Sequence, residues 1–206
     1  MSKPTLTYFP VNGRGFAIRA ALRYAKFDFV DERVPGATFM SELKPNPAKT
    51  PLGSLPVLSL PEANGVVYAQ SVALQRWAAR KSDLYPKGDD LAMLRCDELM
   101  DSIEEMTAKA ATSSIKEDRL AFVANVLPKY MGYLLTRLEQ SGGPFLLGKQ
   151  ISIADLSLFV KLDMLQNGVL DHVPKEVVSS TYPKMAEYYK QLAQHPIIQQ
   201  ELQAKH

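Results

Sequence analysis

The sequence predicts two unlike halves: a βαβ–ββα α/β domain over residues 1–80 and an all-helical bundle domain over residues 89–206, joined by a linker at 81–88. Three observations carry this prediction. Short runs of β-branched and aromatic residues alternate with helical stripes up to residue 80, and no strand pattern follows residue 90. Lys81-Ser82-Asp83-Leu84-Tyr85-Pro86-Lys87-Gly88 is charged, holds a proline and a glycine, and has no helical period. Beyond it, apolar residues recur at helical spacing only. With 206 residues, 46% of them hydrophobic, the chain can bury a proper core.

Thr5-Leu6-Thr7-Tyr8-Phe9 reads as the first strand, and Pro10-Val11-Asn12-Gly13-Arg14-Gly15 breaks it. Phe16, Ala17, Ala20, Ala21 and Tyr24 form a helical stripe, with Arg19, Arg23 and Lys26 on the other side. Phe27 to Val34 returns as a strand, which makes a right-handed βαβ unit. Thr38 to Lys44 is expected as a short helix, and Pro45, Pro47 and Pro51 make the following stretch a loop. Leu55 to Leu60 and Gly65 to Tyr68 are the third and fourth strands, close enough for an antiparallel hairpin. Gln70-Ser71 opens a helix carrying Val72, Leu74, Trp77 and Ala78. This is the thioredoxin-like order. In the second half Leu99, Ile103, Met106 and Ala110 form one stripe, and Leu120 to Leu138 a longer one that Pro128 should kink. Ile153 to Leu165 is apolar nearly all round and should be buried. Tyr182–Gln194 and Ile197–Ala204 complete the set.

Composition excludes several classes of function. No apolar run reaches the ~18 residues of a membrane span. Met1-Ser2-Lys3-Pro4 lacks the apolar core of a signal peptide, and Cys96 is the only cysteine, so a cytoplasmic protein without disulfides is expected. The three histidines and Cys96 are scattered, which gives no metal-ligand spacing. Residues 1–80 carry a balance of +5 and the remainder −3, too weak a basic excess for nucleic acid; it either steers a small anion or is a chance imbalance.

Candidate binding residues follow from position. In open α/β sheets, ligands sit beyond the carboxyl ends of strands, near helix N-termini. Tyr8 and Arg14 lie there: Tyr8 either offers its hydroxyl to an anion or is an ordinary half-buried strand tyrosine. Pro56 opens a strand, and a cis Leu55–Pro56 bond would turn the Leu55 amide groups outward to pair with a peptide. Gln70, Ser71 and the free amides of their helix either hold a carboxylate or simply cap the helix. Asp97, Asp101 and Glu105 share one helix face, with Glu98 and Glu104 nearby. That face is either solvated or meets a cation such as a ligand α-amino group. Ser152 and Asp155 read as an S-x-x-D capping box and are structural.

These motifs, taken together, resemble a known family. Tyr8-Phe9-Pro10-Val11-Asn12-Gly13-Arg14-Gly15, Gly53-Ser54-Leu55-Pro56, Gln70-Ser71, Leu84-Tyr85-Pro86-Lys87-Gly88-Asp89 and Phe145 to Asp155 follow one another as in cytosolic glutathione S-transferases of the tyrosine type. The chain is as close to the sigma class as to the pi class. The resemblance implies that Tyr8 hydrogen-bonds the sulfur of glutathione, the co-substrate, and favours its thiolate, with Arg14 adding positive potential. It implies that Leu55, with Pro56 cis, pairs with the cysteinyl backbone, and that Gln70 and Ser71 hold the γ-glutamyl carboxylate. Glu105 would meet the γ-glutamyl amine across a homodimer interface. Phe9, Val11 and Ile115 would line the pocket for an apolar electrophile.

The sequence also departs from the family. Phe39 stands in the glutathione site where the family has a Trp, which removes an indole donor for the glycyl carboxylate and leaves Lys44 or Lys49 to reach it. Segment Pro45–Leu52 is a residue or two longer than usual, and Ser54 replaces a longer polar residue. A thiol-disulfide or deglutathionylating enzyme fits poorly: Asn12-Gly13-Arg14 fills the region after the first strand where its cysteine would stand, and Cys96 falls in the helical half. Two other readings stay open: a non-catalytic member that binds glutathione or apolar ligands or serves as a structural protein, and a glutathione-dependent isomerase of the prostaglandin-synthase type.

Overall fold

The structure, a computed structural model, describes residues 3–111 and 113–204; Met1, Ser2, Thr112, Lys205 and His206 lie outside them. The first half runs β1 (Thr5–Tyr8), α1 (Phe16–Tyr24), β2 (Val30–Arg33), α2 (Gly36–Thr38) continuing into a π turn (Phe39–Leu43), β3 (Val57–Ser59), β4 (Val67–Tyr68) and α3 (Ser71–Ala79). The sheet order is β2-β1-β3-β4. β1 pairs parallel with β2, Thr5 opposite Val30 and Tyr8 opposite Arg33. It pairs antiparallel with β3, and β3 with β4. This is a thioredoxin-like domain with its hairpin as expected.

The strands are shorter than the sequence suggests, for local reasons. β2 begins at Val30 rather than Phe27 because the end of α1 takes the intervening backbone. Lys26 adopts a left-handed φ of 51°. The Lys26 and Phe27 amides then donate to the carbonyls of Arg23 and Leu22, a Schellman cap closed by a lysine where glycine is usual. Similarly, the Val66 amide closes a turn onto Ala63 and delays β4.

The second half is all helical: α4 (Asp90–Ala111), α5 (Lys116–Ala121), a π turn (Phe122–Val126), α6 (Leu127–Gln140), α7 (Ile153–Gln166), α8 (Val177–Thr181), α9 (Pro183–Ala193) and α10 (Pro196–Gln203). Asp89 opens α4 by accepting the Ala92 amide at 3.0 Å. The long stripe is broken ahead of Pro128, which sits in the first turn of α6 directly after the π turn. Proline has no amide to donate there. α8 is a single turn, too short to show a helical period in the sequence.

The core has α7 at its centre, buried from Ile153 to Leu162. One contiguous apolar cluster joins Leu6, Phe16 and Leu74 of the first half to Leu99, Ile103 and Phe159 of the second. The linker is pinned to it: the Ile153 amide donates to the Leu84 carbonyl at 2.8 Å. The capping box is present, with the Ser152 amide and hydroxyl each 2.7 Å from Asp155 Oδ2. Asp155 also accepts the Leu146 amide at 2.9 Å and the Tyr188 hydroxyl, so its charge is spent on structure. Among the described residues, no helix is long and apolar enough to cross a membrane, and no His/Cys/Asp/Glu group could hold a metal ion.

Candidate active site

The segment after β1 is folded around the Tyr8 ring. Gly13 takes φ +35°, and a Cβ there would lie 2.6 Å from Tyr8 Oη. A Cβ on Gly15 would lie 2.5 Å from Tyr8 Cδ1. Only glycines let the backbone pass this close. The passage brings the Arg14 amide within 3.0 Å of Tyr8 Oη, to which it donates. The phenol thus accepts from the protein and keeps its own proton for another partner. Burial pushes the Tyr8 pKa above its ordinary value; the Arg14 amide and the charges of Arg14 and Arg19 oppose this, and Glu104 adds to it. At neutral pH the group is a hydrogen-bond donor rather than a phenolate.

Tyr8 adjoins a polar cleft through that bond. The cleft is lined by Arg14, Ser54, Leu55, Pro56, Gln70, Ser71 and Glu104. The Leu55–Pro56 bond is cis. Gln70, not Ser71, is the N-cap residue of α3, with φ +74° and no capping bond from its side chain. The Leu74 amide reaches the Gln70 carbonyl, so the first amides of α3 point outward at the cleft end of the helix. The structure therefore gathers Arg14, Leu55, Pro56, Gln70 and Ser71 from three separate segments.

Other expected site residues lie elsewhere. Phe39 is buried in a small cluster with Tyr8, Val34, Leu55 and Val57, its ring edge-on to Phe9 at 5.2 Å. It offers packing and no donor. Lys44 and Lys49 are exposed. Val11 and Ile115 are also exposed, while Phe9 packs against Tyr8 with ring centroids 5.4 Å apart. The acidic face of α4 is mostly matched within the chain. Arg76 reaches Asp97 at 2.5 Å and Asp101 at 2.8 Å, tying α3 to α4. Glu105 pairs with Lys109 at 3.2 Å, is 59% exposed at its side chain, and is not part of its own chain's cleft. Cys96 is buried, which pushes its thiol up to about 12, far from a reactive thiolate.

The acid in the cleft is Glu104, one residue away from the face singled out in the sequence. Its Oε1 accepts from Arg14 Nε at 2.9 Å and its Oε2 from Lys161 Nζ at 2.7 Å. Lys161 was detectable in principle: it is the single basic residue of α7, a mostly apolar buried helix. A second network lies behind Tyr8. Arg19, fully buried on α1, reaches Glu201 of α10 at 2.6 Å and the Val11 carbonyl at 2.9 Å. Its guanidinium lies 6.0 Å from the Tyr8 ring centroid. Glu201 also holds Arg23 at 2.8 Å. Glu201 pairs with residues some 180 positions away, so no spacing rule reveals it.

The fold and the cleft define a two-domain protein whose thioredoxin-like sheet presents a buried tyrosine and the N-terminus of α3 beside a helical domain. Comparison with known proteins agrees. Residues 97–205 match the family model "Glutathione S-transferase, C-terminal domain". "Probable glutathione S-transferase 7" of Caenorhabditis elegans is 31% identical over 160 residues, covering 73% of this chain and 74% of the relative. A solved glutathione S-transferase of the same organism is 25% identical, with a TM-score of 0.78 and full coverage of both chains. A prostaglandin synthase D structure of Nilaparvata lugens, 20% identical with a TM-score of 0.80, covers 100% of this chain and 99% of its own and shares the fold. The chain belongs to the glutathione S-transferase family of enzymes.

Proposed function

We propose that this enzyme binds glutathione in the cleft, and that the Tyr8 hydroxyl donates to its sulfur, holding the thiolate for attack on an apolar electrophile. One observation carries the reading: Tyr8 Oη accepts the Arg14 amide and keeps its own proton to donate. The thiol gives its proton to solvent. The thiolate then forms a carbon–sulfur bond as the leaving group departs with its electron pair. A free thiol titrates near ~8.5, and a hydrogen bond to a charged group contributes ~1.5–3 kcal/mol, which lowers the bound thiol by about one to two units.

The remaining roles follow from position. The Leu55 backbone pairs with the cysteinyl unit, and Gln70, Ser71 and the α3 amides hold the γ-glutamyl carboxylate. Phe39 has no donor, so the glycyl carboxylate falls to Lys44 or Lys49. Phe9, Val11 and Ile115 border the electrophile. Glu105 would serve a partner subunit's γ-glutamyl amine in a homodimer, which its exposure permits.

Tyr8→Phe tests this. Turnover of a chromogenic aryl halide should fall ~10–100-fold, the factor for one to two units of thiol pKa, with glutathione affinity within about twofold. Equal losses in turnover and affinity would refute the thiolate role. Retention on a glutathione matrix without turnover in the unaltered protein would favour a non-catalytic binder, and turnover of lipid peroxides alone an isomerase.

A further inference from the structure

Three charged groups meet at the inner wall of the cleft: Arg14 after β1, Glu104 on α4 and Lys161 on α7. The Glu104 carboxylate takes Arg14 on one oxygen, at 2.9 Å from both Nε and Nη2, and Lys161 Nζ on the other at 2.7 Å. The Lys161 side chain is 6% exposed, against 42% for Arg14 and 21% for Glu104. Lys161 is therefore the buried anchor of the trio and Arg14 its exposed end.

A buried ion pair is poor evidence for stability, since an apolar side chain of similar size often does as well or better. The electrostatic consequence is more specific. Glu104 disfavours negative charge at Tyr8, while Arg14 and Arg19 favour it. Arg19 is already matched by Glu201. Left with Arg14 alone, Glu104 would cancel it and the cleft wall would be neutral. With Lys161 in place the trio carries one net positive charge.

We infer that Lys161 is a positioning residue for the thiolate: it neutralises Glu104 from behind, so that the charge of Arg14 stays available to the anion at Tyr8. This rests on the glutathione reading above and adds to it a residue that touches neither substrate nor Tyr8. The charged groups acting on Lys161 are Glu104 from α4, which favours its ammonium, and Arg14, which opposes it; burial opposes it most. Asp163, further along α7, is engaged by the Tyr189 hydroxyl at 2.7 Å, and Asp155 by its own capping network. Neither substitutes for Glu104.

The test is the pH dependence of aryl-halide conjugation, with the thiolate of bound glutathione followed by ultraviolet absorbance. In Lys161→Met the thiolate midpoint should rise by about half to one unit, so kcat/KM at pH 6.5 falls ~3–10-fold and the deficit closes at high pH. Lys161→Arg should keep the midpoint of the unaltered enzyme. Glu104→Gln with Lys161→Met removes both charges of the inner pair and should bring the midpoint back. A Met variant with an unshifted midpoint, or a deficit equal at all pH values, overturns the inference, as does a double variant no better than the single one. Those results leave the Tyr8 reading standing if bound glutathione in the unaltered enzyme is still more acidic than in buffer. If it is not, both fall together.

Discussion

Gly15→Ala isolates the packing that fixes Tyr8. The backbone at this position is compatible with any residue, with φ −79° and ψ −23°. On propensity alone, alanine at a helix start is neutral or better than glycine by up to ~1 kcal/mol. Space argues the other way. The added Cβ would stand 2.5 Å from Tyr8 Cδ1, 2.6 Å from Arg19 Nη1 and 2.9 Å from Tyr8 Cγ. Carbon atoms rest at about 3.5–4.0 Å, so the ring must retreat by about 1 Å. Neither neighbour yields cheaply. Tyr8 ends a paired strand and packs against Phe9, and Arg19 is buried and bonded to Glu201 and to the Val11 and Asn12 carbonyls. Overpacking of this kind costs ~1–3 kcal/mol, or a fall in Tm of roughly 2–12 °C for a chain of this size. A displacement of about 1 Å at a reacting group can cost ~10²-fold in rate. The Tm and aryl-halide turnover should therefore fall together, while glutathione affinity, which the proposed roles assign to Leu55, Gln70 and Ser71, changes little. A variant with an unchanged or raised Tm and full turnover would refute the claim that this glycine makes room for the ring.

Two further outcomes follow from buried networks. Glu201→Gln leaves the Arg19 charge, and part of Arg23, without its acid, and should destabilise the fold by ~3–5 kcal/mol; urea unfolding that loses less than about 1 kcal/mol would contradict the buried pair. Ser152→Ala removes half of the α7 capping box and should cost about 1 kcal/mol, seen as a lower urea midpoint with an unchanged slope, while turnover at low temperature is retained.

Much of the architecture is written locally. The βαβ–ββα order, the change of texture after Gly88, the capping box at Ser152 and the helical stripes depend on neighbours within about a turn or on strand alternation, and these are the parts the structure reproduces. Arg14, Leu55, Pro56, Gln70 and Ser71 line one cleft, and each stands near a strand end or helix start that sequence can locate. What escaped depends on distant partners or on one residue of rotation. β2 starts later than its residue pattern predicts because a lysine, rather than a glycine, takes the left-handed cap of α1. The acidic face of α4 read as a possible cation site, yet Arg76 from another helix already answers Asp97 and Asp101. Glu104, a step of ~100° around the same helix, is the acid that faces the cleft. Lys161 and Glu201 find partners 57 and 182 residues away, a distance over which no periodicity speaks.

The Glu201 clasp has a consequence for biosynthesis. A ribosome adds ~5–20 residues per second, so the 182 residues that separate Arg19 from its acid take on the order of 10–40 s to make. Throughout that interval the emerging sheet domain holds a guanidinium destined for its interior with no counter-ion to meet it. The N-terminal half is thus completed by α10, which is translated after α4 to α9, and its maturation waits on the helical half instead of preceding it.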